Sequence, residues 1–186
     1  MKIPFPYIIT FISLIYGLAI AHGLACIAEY IQQYNKLKHY WLWWVWAILL
    51  LIISINFWYS LYTLWSPKES LSAMQFTFIA FESFLFYLLF RIFFDHYSEL
   101  EVKDLKKQYY KNHVSFFSIV AIIFFLMFYV TLMIVHNHSL YETMMLAPPI
   151  MVIFPVVLAI TKKRRIHEVI TVLIFLMNLI NTIMIS

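Results

Sequence analysis

His22 and Glu82 are ionisable side chains set inside two long apolar runs, 5–30 and 71–94. Ionisable groups at membrane depth are costly and usually face a partner, a cavity or water. An imidazole titrates near neutrality, so His22 suits a pH-sensitive gate or pore residue; the alternative is a neutral histidine hydrogen-bonded across a helix bundle. Glu82 lies near the middle of its run with Gln75 one face-repeat before it, and Arg91 falls on the opposite side of the same helix. The carboxyl group must therefore be protonated, meet His22 or an amide from another helix, or face water. Two polar stripes accompany these residues. Asn56 shares a helical face with Ser60 and Thr63, and Asn178 one with Thr171 and Thr182, with Asn181 beside it. Such stripes hydrogen-bond helices together or line an aqueous path. His22, Glu82, Gln75, Asn56, Asn178 and Asn181 are the candidate pore or polar intramembrane residues. Glu29, near one end of the first run, reads as a solvated or Lys-paired carboxylate.

Other chemistry has less to stand on. His136 and His138 with Glu142 lack a third strong ligand at metal-site spacing, so no metal is expected. A bis-histidine haem would need a second intramembrane histidine beside His22, from another subunit. Glycine-rich phosphate loops, His-Glu-x-x-His and Gly-x-Ser-x-Gly are absent, and the chain holds only 2 glycines. No catalytic residue and no cofactor are expected. An integral membrane enzyme or haem protein using His22 and Glu82 is the weakest of three classes.

The elements that must position these groups are transmembrane helices. Hydrophobic residues make up 64% of the 186-residue chain and charged residues 12%, with a mean hydropathy of +0.85. A soluble domain of this size has no place for so much apolar surface, and about 20 apolar residues at 1.5 Å rise cover a bilayer core. The expectation is an all-α integral membrane protein, one domain over 1–186, with six spans at about 5–30, 41–65, 71–94, 114–135, 143–161 and 166–185. The first span reads as a retained helix, not a cleaved leader. All 6 tryptophans fall in the second, where Trp41, Trp43, Trp44 and Trp46 crowd one end and Trp58 and Trp65 the other, as interfacial belts would. The polar segment 95–113 is expected to prolong the third span or to lie on the membrane surface. Pro155 removes an interior hydrogen bond from the fifth span, so a kink is expected there.

In the first span Ser13, Gly17, Ala21 and Ala25 recur every fourth residue, a flat stripe on which membrane helices approach closely. The stripe predicts helix packing and a homo-oligomer. With six spans, eleven basic residues share one side: Lys36, Lys38, Arg91, Lys103, Lys106, Lys107, Lys111, Lys162, Lys163, Arg164 and Arg165. Only Lys2 and Lys68 fall on the other. The positive-inside bias places the eleven in the cytoplasm and both termini outside.

In size and architecture the chain resembles small multi-span bacterial membrane effectors of nucleotide-signalling anti-phage systems (Hailong and related types). The resemblance implies that a soluble nucleotidyltransferase makes a ligand and that the membrane effector depolarises or permeabilises the inner membrane. It directs attention to the basic face formed by Lys103, Lys106, Lys107 and Lys162 to Arg165, as a place for an anionic ligand: nucleotide, oligonucleotide or lipid headgroup. The leading expectation is a homo-oligomeric, cation-conducting channel or pore. A membrane subunit or anchor that assembles with other membrane proteins comes second.

Overall fold

The computed structural model describes residues 2–65, 70–94, 103–134 and 147–185, with side chains at 2–63, 70–94, 104–128 and 151–180. Six helices carry the chain among these residues: α1 Phe5–Gln32, α2 Trp41–Trp65, α3 Ala73–Phe93, α4 Leu105–Ile134, α5 Ala147–Ile160 and α6 Arg164–Ile185. Four are long and apolar enough to cross a membrane: Phe5–Gln32, Trp41–Thr63, Ala73–Phe93 and Leu105–Phe128. The protein is therefore all-α with membrane-spanning helices.

Two short strand pairs mark the ends of the bundle. At one end β1 (Lys2–Pro4) runs antiparallel to β3 (Ser70–Ser72), with Ile3 opposite Leu71. At the other, β2 (Leu37–Lys38) lies parallel to β4 (Lys103–Asp104), with Leu37 opposite Lys103. This second end holds Lys36, Lys38 and the first turns of α2 and α4. Helix α1 packs on α3 and α2, α3 on α4, α4 on α5, and α6 on α2 and α5.

Helix α4 begins nine residues before the expected 114, because the apolar face does not stop where the charges start. Leu105, Gln108, Tyr109, His113, Phe116 and Phe117 are buried at three- and four-residue spacing, while Lys106, Lys107 and Lys111 take the outer face. The Asp104 carboxylate caps the helix by accepting from the Lys107 N–H at 2.9 Å. Half of the segment read as surface or as an extension of α3 is thus the head of α4; residues 95–102 lie outside the described ones. Helix α3 begins at Ala73 with a reciprocal cap. The Gln75 N–H donates to Ser72 Oγ at 3.2 Å, and the Ser72 N–H donates to Gln75 Oε1 at 2.9 Å. Gln75, a candidate polar intramembrane residue, thus stands in the first turn of α3, where its side-chain oxygen is taken by the Ser72 N–H.

The tryptophan belt is also corrected. Trp41 is exposed, whereas Trp43 and Trp46 are completely buried and build the core at the basic end. Trp43 stacks on Phe93 at 5.2 Å and meets Tyr30 edge-on at 4.8 Å, joining α1, α2 and α3. Trp46 is gripped edge-on by Phe116 at 5.4 Å and Phe117 at 5.0 Å, joining α2 to α4. Large rings with one polar atom serve here because close-packed aromatic edges supply dispersion that lipid tails do not replace.

The small-residue stripe of α1 does not pack inside the chain. Gly17, Ala21 and Ala25 are exposed, and a Cβ at Gly17 would meet nothing within 4 Å. Only Ser13 is engaged, its Oγ accepting from the Trp58 indole N–H at 2.8 Å. The close approach occurs on nearly the opposite side of α1, at Gly23, where a Cβ would stand 2.6 Å from the Phe90 ring and 3.2 Å from that of Phe94. There α1 meets α3, and only glycine leaves room for the two phenylalanines.

Candidate functional site

Two buried places hold polar groups, and they differ in how those groups are satisfied. The first is Glu82 on α3, which is 0% exposed. It shares the inner face of α3 with Phe86, one turn on, and the ring of Tyr16 from α1 packs on Phe86 at 5.0 Å and on Phe57 of α2 at 5.7 Å. Tyr16 lies within electrostatic reach of Glu82. Among the described residues neither carboxyl oxygen of Glu82 nor the Tyr16 hydroxyl has a hydrogen-bond partner, and no cation pairs with the carboxylate. Glu82 faces the interior of its own bundle, beside Tyr16 of α1 and Phe57 of α2.

His22 does not hydrogen-bond to Glu82. It is half-buried, with Nε2 at 3.4 Å from the Arg91 guanidinium and 3.8 Å from Cys26 Sγ. A guanidinium only donates, so Nε2 is the acceptor and the ring proton sits on Nδ1. Asn56 is half-buried on α2. Asn178 is buried on α6 and returns its amide N–H to the Ile174 carbonyl at 2.9 Å. The side chain of Asn181 lies outside the described residues, as do those of Lys103, His136, His138 and Glu142.

The second place lies at the basic end. His167, on the first turn of α6, is 0% exposed. Its Nε2 is 2.8 Å from the Thr161 carbonyl at the end of α5, and its Nδ1 is 2.9 Å from the Tyr109 hydroxyl on α4. A carbonyl only accepts, which puts the ring proton on Nε2 and makes Nδ1 the acceptor of the Tyr109 O–H. Thr171 and Trp46 lie within electrostatic reach of the Tyr109 hydroxyl, and the Thr171 Oγ1 accepts from the Trp46 indole N–H at 3.0 Å. Side-chain bonds thus tie α2 to α6, and α6 through His167 to α4 and to the end of α5. His113 stands beside it, ring centroids 6.1 Å from His167, with Nδ1 donating to the Tyr110 carbonyl at 2.7 Å. Both nitrogens of His167 are engaged, so the pair does not form a ligand set.

The rim is polar and charged. The Tyr40 and Tyr110 hydroxyls are 3.2 Å apart. Burial, and then the Tyr110 hydroxyl, push the Tyr40 phenol well above its ordinary value, so it remains neutral. Lys106, Lys107, Lys162, Lys163, Arg164 and Arg165 are exposed. Arg164 donates to Glu168 at 2.6 Å, and this bond holds its guanidinium charged beyond the usual range. Gln108 closes the inner side, donating to the Phe93 carbonyl at 3.1 Å and lying 3.5 Å from the Tyr30 hydroxyl.

Sequence reasoning singled out Thr171 but missed Tyr109, His113, His167 and Trp46 as a unit. The available signal was Leu105, Tyr109, His113 and Phe117 recurring every fourth residue through a segment read as polar. Compared with protein-family models, curated proteins and solved structures, the chain matches none.

Proposed function

We propose that the chain is a six-span, homo-oligomeric protein of a bacterial inner membrane, with both termini outside, that passes protons or small cations through the bundle of each subunit. The observation that supports this reading is Glu82, wholly buried at mid-helix with two partnerless oxygens. A carboxyl group in that position costs several kcal/mol if charged and alone, so its charge must be balanced by a proton or cation brought to it. Tyr16 is the neighbouring hydroxyl that can share the load. The Pro155 position gives α5 a place to bend, and the exposed Lys162–Arg165 run follows it, where a nucleotide, oligonucleotide or lipid headgroup would act as the anionic signal. This last feature accords with the anti-phage effector resemblance.

The test is flux in liposomes holding the purified protein, read with a pH-sensitive dye and with a potassium gradient. Wild type is expected to dissipate one of the two gradients, and Glu82→Gln to slow it at least about tenfold, a barrier increase near 1.4 kcal/mol. Wild-type vesicles that stay tight under both gradients, with and without anionic lipid or nucleotide, remove the reading.

The exposed Ser13–Gly17–Ala21–Ala25 face favours a second reading, that of a membrane subunit or anchor for other membrane proteins. Gly17→Leu meets open space within the chain, so the fold should survive while detergent-complex mass falls if the face is an interface. An unchanged mass assigns the face to lipid.

A further inference from the structure

We propose that His167 is an acid-opened latch that holds the α5–α6 connection, and the basic run within it, against the head of α4. The connection's own bonds are local: the Lys163 N–H donates to Thr161 Oγ1 at 3.2 Å, and the Ile166 and His167 N–H groups donate to the Lys163 carbonyl at 3.0 and 3.3 Å. The His167 ring supplies the tie to the rest of the molecule, through Thr161 on one side and Tyr109 on the other.

The Tyr109 half of that tie requires the neutral ring. Protonation turns Nδ1 from acceptor into donor, so the Tyr109 O–H must turn away while Nε2–H keeps the Thr161 carbonyl. It also places a charge in a cage of rings, with Tyr110 at 5.3 Å, Phe117 at 5.6 Å and His113 at 6.1 Å. The Thr161 carbonyl, which accepts from Nε2–H in either state, is the one group that favours the charge, and among the described residues no unpaired carboxylate adds to it. From α4 the facing groups are the two tyrosines and His113, itself titratable; before α2 stands Tyr40, a neutral phenol. On its own helix the nearby carboxylate, Glu168, is held by Arg164 at 2.6 Å. Lys162, Lys163 and Arg165 add only like charge. An imidazolium is therefore driven out toward water, and the connection is released together with its lysines and arginines. Release depends on pH on the basic side alone and is read without any cation movement.

Hydrogen–deuterium exchange of the full chain in detergent tests the latch, comparing peptides across 157–170 at about pH 8 and about pH 5 after correction for intrinsic rates. Wild type is expected to lose about tenfold protection at the lower pH, the worth of one such bond. His167→Gln, whose amide both donates and accepts but does not titrate, should keep its protection at both. Glu168→Gln and His113→Gln should keep the wild-type response. Tyr109→Phe, which removes only the hydroxyl, should show the low protection already at pH 8. Protection independent of pH in wild type overturns the proposal. So does an acid loss that persists in His167→Gln or disappears in either control, and so does full protection in Tyr109→Phe.

Discussion

Glu82 and His167 are both fully buried ionisable residues, yet one has every polar atom engaged and the other none. His167 sits where three helix ends and a connection converge, so carbonyls and hydroxyls freed by helix termini are within reach. Glu82 sits at mid-helix, where backbone groups are consumed by the helices and only side chains remain to answer it. The difference separates two uses of buried polarity in a membrane bundle. A satisfied network fixes how helices meet, because removing one member strands another. A starved group adds no hydrogen bond to stability, and under the proposed function it serves through what it binds.

The contrast can be broken from the satisfied side first. Trp46→Ala removes an indole packed on Phe116 and Phe117 and strands Thr171, so a loss of about 3–5 kcal/mol is expected, seen as a collapse of the thermal midpoint in detergent. Thr171→Val keeps the volume and removes the hydroxyl, leaving the Trp46 N–H unanswered. Its cost should be about 1–3 kcal/mol by the same melt. The smallest effect belongs to the starved side. Glu82→Gln, which alters no bond in the bundle, should shift the melt by less than about 1 kcal/mol even while flux falls. A strongly destabilised Glu82→Gln would erase the distinction and make Glu82 a structural residue.

Much of the secondary structure was legible from residues alone. Ser72 and Gln75 at capping-box spacing, Asp104 before Leu105, and apolar runs bounded by charges and prolines all act locally. The early start of α4 was obscured because Lys106, Lys107 and Lys111 dilute the apolar count, although Leu105, Tyr109 and His113 keep the four-residue step. The candidate site was half legible. Glu82 stands out in any reading because a carboxylate in an apolar run is rare. His167 does not, since it follows four basic residues and looks solvated.

The sequence by itself determined that the chain is helical, that its apolar runs are long enough for a bilayer (six were read, of which four described helices reach that length), and which residues are charged near their ends. These follow from run length and local capping, properties of one dimension. Only the tertiary structure decided which face of each helix turns inward. In lipid the outside of a bundle is as apolar as the inside, so hydrophobic periodicity does not distinguish buried Ile15 from exposed Leu18, or buried Trp43 from exposed Trp41. Facing is set instead by close packing and by polar partners distant in sequence: Gly23 yielding to Phe90 and Phe94, and Trp46 finding Thr171. No local pattern encodes those meetings. They put the small-residue stripe of α1 outside, Glu82 inside without company, and His167 at the joint of α4, α5 and α6.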